Sequence, residues 1–214
     1  MNASAAGIPR LGILAFVLAG GAVSAAVPGD EQAPPKTPAS KPDASDPRVE
    51  DAIARDLANR RPGPDHRWLE PLAGTWKIDI TRYATAGEAT HATGSGENRW
   101  ILGGRYLVCE SSAGEDDARV ESTTIYGFDS RRRQFFALGL DNRRTNYLQF
   151  EGNYDPNKGT LILSAKERNE STGTAVVYRE LLRIEGPDRH VLQIFLDVPG
   201  RPPLKTVEAI FTRP

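Results

Sequence analysis

From Trp76 to Arg82 the chain alternates. Trp76, Ile78, Ile80 and Arg82 fall on one side of an extended backbone, and Lys77, Asp79 and Thr81 fall on the other. Successive strand side chains point to opposite faces, so this period predicts a strand whose Trp76 face turns inward. Arg82 is the one charge at the end of that face. Segments rich in β-branched and aromatic residues recur from Leu72 to the end of the chain, and ten strands are predicted at about 74–83, 91–102, 105–112, 119–128, 134–141, 146–154, 160–168, 175–185, 190–198 and 204–213. Turn chemistry separates them, as in Asp155-Pro156-Asn157-Lys158-Gly159 and Pro199-Gly200-Arg201-Pro202. Residues 134–141 are apolar on both faces, and their inward set stays open.

No helical crossover interrupts the series, so the pattern predicts an all-β antiparallel up-and-down barrel of about ten strands, with a two-sheet sandwich as the alternative. Gly94-Ser95-Gly96, inside the second strand, reads as a bulge. One short helix precedes the barrel: Asp46 is placed as its cap, Pro47 at its first position, and Val49, Ile53 and Leu57 on one apolar face. That face is expected to pack on the barrel.

The N-terminus changes the picture. Arg10 is followed by the apolar run 11–19 and by small residues at 23–26, the pattern of a secretory signal peptide over 1–26. An uncleaved anchor is the alternative, because 11–29 carry no charge. Residues 27–46 hold five prolines and no aromatic residue, which predicts a disordered tether ahead of a domain over 47–214. The chain is therefore expected to be exported, periplasmic or secreted, with no membrane insertion after cleavage. Its one cysteine, Cys109, leaves the fold without disulfides. Without Arg10 there are 26 basic and 28 acidic residues, a balance that argues against nucleic acid as a partner.

Six stretches then stand out together: "WLEPLAGTW" (68–76), "LGGRYLVCE" (102–110), "YGFD" (126–129), "FEGNYD" (150–155), "YRELLRI" (178–184) and the closing "TVEAIFTRP". As a set they resemble a family of uncharacterised, mostly bacterial proteins defined only as a domain of unknown function. The resemblance implies a lipocalin-like (calycin) barrel over 66–214 and carries no activity or catalytic residue with it. The chain departs from the family's pattern at Gly139, where a tryptophan often stands; the departure implies extra interior space. Gly74-Thr75-Trp76 also resembles the lipocalin signature, in which a tryptophan at the base of the first strand meets an arginine near the end of the last. An up-and-down meander of ten strands brings Arg213 to the Trp76 end. A cation–π closure of Trp76 by Arg213 is expected there, with Trp68 and the helix helping to seal it.

The opposite end is then the mouth. Arg82 inside it is the candidate anchor for an acidic ligand group, with Ile80, Ile78, Trp100 and Tyr178 lining the pocket. The alternative for Arg82 is snorkelling to solvent or an internal partner, Glu110 or Glu180. Glu115-Asp116-Asp117 and Arg143-Arg144 are placed to pair across the rim, or to stand solvated.

Motifs of catalysis are missing. There is no Gly-x-Ser-x-Gly elbow, and His66, His91 and His190 lack metal-ligand spacing. No catalytic residue, metal or cofactor is assigned. Asn169-Glu170-Ser171 matches a glycosylation acceptor. The leading expectation is a non-enzymatic barrel that binds a small apolar or amphiphilic molecule. A filled-core scaffold is the alternative, and a haem-binding or hydrolytic enzyme comes third. Nothing in the chain names a protein partner.

Overall fold

In the computed structural model residues 47–84, 88–168 and 173–214 are described. The strands are β1 (Gly74–Arg82), β2 (Thr90–Ile101), β3 (Tyr106–Ala113), β4 (Val120–Asp129), β5 (Gln134–Asp141), β6 (Leu148–Asp155), β7 (Thr160–Arg168), β8 (Ala175–Gly186), β9 (Arg189–Asp197) and β10 (Leu204–Thr212). Each pairs antiparallel with its neighbour in sequence, and β10 pairs back onto β1, so the sheet closes into a barrel. A closed sheet leaves no edge strand exposed, and the sandwich alternative falls. The proposed signal peptide, the tether and the Asn169-Glu170-Ser171 acceptor lie outside the described residues.

Directly paired residues share a face, so the register extends the inward set from β1 around the barrel. Trp76 pairs with Gly96, and Ile78 with Gly94 on one side and Phe211 on the other. Across β5 the inward residues are Phe135, Ala137 and Gly139, opposite Gly152, Phe150 and Leu148. That settles the segment whose pattern was ambiguous: Phe135 and Ala137 are buried, whereas Leu140 is exposed.

The Gly94 reading is corrected. β2 pairs with β1 and β3 without a register shift, so no bulge is present there. The glycine serves a close approach instead, because a Cβ at Gly94 would stand 2.1 Å from the carbonyl oxygen of Ser112. Register shifts fall elsewhere, between Lys205 and Val207 and between Ile184 and Gly186.

The helix α1 (Pro47–Asn59) forms as expected but buries none of its residues. Ile53 and Leu57 are more than half exposed, so the expected packing on the barrel is not made. What plugs the barrel is an element the sequence pattern missed, a 3-10 helix over Pro64–Leu72 that carries Leu69 and Leu72 into the core. Its proline-rich ends fit a short tight helix, and nine residues are too few to show a helical period.

A candidate ligand site in the barrel lumen

The closed end comes first, because it fixes where a ligand could enter. The indole Nε1 of Trp76 donates to the carbonyl of Leu72 at 2.8 Å, and Asn98 Nδ2 donates to the same oxygen at 2.7 Å. Arg213 covers the other side, its guanidinium carbon 3.7 Å from the centre of the Trp76 ring system. It donates to the carbonyls of Ala73, Pro71 and Thr75 at 2.9, 3.3 and 3.3 Å. Gly74 makes room: its φ is +108°, and a Cβ there would fall 2.5 Å from Arg213 Nη1. Trp68 packs against Phe135 and Tyr154, with centroids 6.0 and 4.9 Å away. His190 stacks on Phe211 and meets Trp76 edge-on, both at 4.3 Å. Burial presses its pKa down to about 3, with Arg213 adding to the effect, so the ring stays neutral.

At the opposite end Arg82 points inward, level with Val207 on β10. It is half-buried, and among the described residues its guanidinium has no hydrogen-bond or ion-pair partner. Burial pulls its pKa below the ordinary arginine value, and the neighbouring charge of Arg143 pulls it further. Neither anticipated partner reaches it. Glu110 faces outward and meets Arg99 at 3.5 Å, while Glu180 is engaged inside the barrel with Tyr126. The rim arginines also differ from expectation: Arg143 donates to the main-chain oxygens of Asp117 and Arg119, and Arg144 pairs with Asp141 at 2.7 Å.

Between the two ends the lining changes character. Toward the floor, Trp76, Ile78, Leu107, Ala137, Leu161, Leu163 and Leu182 are buried. Toward the mouth, the inward side chains of Ile80, Leu148, Ile194, Leu196 and Val207 remain partly exposed although the sheet around them is closed. The facing wall is made of small residues, Ala92, Gly94, Gly96, Ser111 and Ser122. Gly139 is part of that space, since a Cβ there would meet only the Leu148 carbonyl oxygen, at 3.9 Å.

Besides the hydroxyl pair Ser111–Ser122, 2.8 Å apart on the small-residue wall, a phenol–carboxyl pair stands in the lumen. Tyr126 Oη donates to Glu180 Oε1 at 2.7 Å across the barrel. Burial raises Glu180 to about 7 against the opposing pull of this hydrogen bond. Tyr126 is driven well above its ordinary value, by burial first and then by the glutamate. Cys109, inward from β3, is likewise raised by burial and by the charge of Glu180. Among the described residues no group of three His, Cys, Asp or Glu side chains is arranged to hold a metal ion.

A family model for a protein of unknown function, DUF1579, matches residues 61–213. The chain belongs to this family. Among solved structures, the DUF1579 barrel is similar to Rv2717c from M. tuberculosis, at 13% identity and a TM-score of 0.51, over 72% of this chain and 99% of that one. It also matches the S-type phycobiliprotein lyase CPES from Guillardia theta, at 9% identity and a TM-score of 0.49, over 74% of this chain and 96% of that one. At such identities the first likeness speaks for the fold alone. No curated protein matches the sequence.

Ile78, Ile80 and Arg82 thus form one inward line in this DUF1579 barrel, with Tyr178 on the wall of β8, paired with Leu196 and Ala165. Trp100 is a correction. Gly74, the first residue of β1, pairs with Asn98, so β2 runs on past β1 and carries Trp100 to the closed end beside Leu107, away from the mouth. Glu180 and Tyr126 were missed as a site. Their signal is the one that singled out Arg82: Glu180 interrupts the inward apolar series Val176, Tyr178, Leu182 and Ile184.

Proposed function

We propose that this chain is an exported, non-enzymatic binding protein whose barrel holds a small amphiphile by its acidic head. The supporting observation is Arg82. A guanidinium turned inward, half-buried and without a partner among the described residues is costly unless something anionic meets it. Next to it lie apolar inward side chains that solvent still reaches, the surface an alkyl chain would cover. The export part of the reading rests on residues 1–26, and the absence of catalysis on the missing catalytic motifs.

The test is fluorescence titration with a long-chain fatty acid and the alcohol of equal length. A hydrogen bond to a charged group contributes about 1.5–3 kcal/mol, so Arg82→Met should weaken the acid roughly tenfold to a hundredfold and spare the alcohol. Equal losses for both would remove Arg82 from the site. No saturable binding by the wild-type protein would leave the barrel a filled scaffold.

A further inference from the structure

A closed barrel floor can be built from Leu, Phe and Trp alone, and most of this one is. Besides the polar Asn98 and His190 of the closed end, Glu180 is the one carboxylate among the buried described residues. It is 4% exposed, it faces inward from β8, and a buried carboxyl weakens the fold unless its oxygens are occupied. Tyr126 occupies one of them. Among the described residues Oε2 accepts no hydrogen bond.

The register relates this oxygen to the mouth. Arg82 pairs with Val207, Val207 with Ile194, and Ile194 with Glu180, a continuous inward row across β1, β10, β9 and β8. Neighbouring strands stand about 4.8 Å apart, so three steps put Arg82 and Glu180 about 14 Å apart along the wall. The two residues between them, Val207 and Ile194, are apolar and partly exposed. Cation, apolar track and acceptor therefore follow one another on one surface.

From this row we infer that Glu180, held by Tyr126, is a second recognition point that takes an O–H or N–H donor carried by the ligand at a distance from its acidic end. The inference rests on the lumen-binding reading above and narrows it, from any acidic amphiphile to one with a donor part-way along its chain. Oε2 accepts the donor. Tyr126 keeps the carboxyl in place by occupying Oε1.

Calorimetric titration of the mature protein above neutrality tests this with two isomers, 12-hydroxystearate and 2-hydroxystearate. The wild-type protein should prefer the 12-hydroxy acid about three- to tenfold, the range of one net hydrogen bond. Glu180→Leu should abolish the preference while both acids still bind. Glu180→Gln covers the case in which the leucine variant does not fold. Its amide oxygen can take the Tyr126 proton while its N–H stands where Oε2 was, so 12-oxostearate, an acceptor only, should bind it about three- to tenfold more tightly than it binds wild type. Equal wild-type affinity for the two hydroxy acids, or a preference that survives Glu180→Leu, overturns the second recognition point and leaves lumen binding standing. No saturable binding of any of the acids overturns both.

Discussion

The guanidinium of Arg213 stands 3.7 Å over Trp76 and holds the carbonyls of Pro71, Ala73 and Thr75 around it. The last residues of the chain thereby lock the segment that enters the first strand, and the barrel closes at the point where β10 meets β1. Trp76 is 1% exposed, so its removal leaves a cavity as well as a lost hydrogen bond to Leu72. Trp76→Ala should cost roughly 3–5 kcal/mol by chemical denaturation. A loss under about 1 kcal/mol, the size of a surface change, would contradict this closure.

Glu180 and His190 give the fold an opposed pH response. Folded Glu180 keeps its proton up to about 7, against an ordinary 4.5. Between those values the folded state holds one more proton than the unfolded chain, so this contribution is full below 4.5 and is lost as pH rises to 7. Folded His190 stays neutral down to about 3, against 6.5, so its contribution is full above 6.5 and is lost as pH falls. Each slope is about 1.4 kcal/mol per pH unit, and between 4.5 and 6.5 the two cancel. Glu180→Gln should break the cancellation. Relative to wild type it should gain stability by roughly 3 kcal/mol from pH 4.5 to 7 and nothing further above, as read by urea denaturation across that range. A difference that does not change with pH would mean that Glu180 titrates normally.

Much of this molecule was legible in the alternation of the chain, for a physical reason. Side-chain period assigns a face, and an up-and-down order assigns an end, so Arg82 could be placed inside the mouth and Arg213 beside Trp76. Alternation does not assign height. That depends on how far each strand slides past its neighbour, which backbone pairing decides; β2 overruns β1, and Trp100 therefore lies on the floor. The pairing of Glu180 with Tyr126 was hidden for the same reason, since the two meet across the lumen from strands that are not adjacent. Nor does an apolar helical stripe guarantee a partner surface, as exposed Ile53 and Leu57 show.

Cys109 should be an inert thiol despite being the only cysteine. Burial and the nearby Glu180 charge both disfavour its thiolate, the species that attacks thiol reagents. Labelling of the native protein with an aromatic disulfide should run roughly a hundredfold or more slower than labelling in denaturant. Rapid native labelling would show that the lumen opens to reagent at the level of β3.

Gly139 separates an open lumen from a filled core. It faces inward from β5 between Thr124 and Leu148, and a Cβ there meets nothing closer than 3.9 Å. In a filled interior a tryptophan at this position would overpack, at a cost of about 1–3 kcal/mol. In an open one it has space to occupy, and the burial of its ring offsets the lost glycine. Gly139→Trp should therefore change stability by less than about 1 kcal/mol by denaturant titration. The same variant should lose fatty-acid binding by about tenfold or more, because the indole takes the volume that the chain would fill. A strongly destabilised variant would point to a packed core. A stable variant with unchanged affinity would place the ligand outside this part of the barrel.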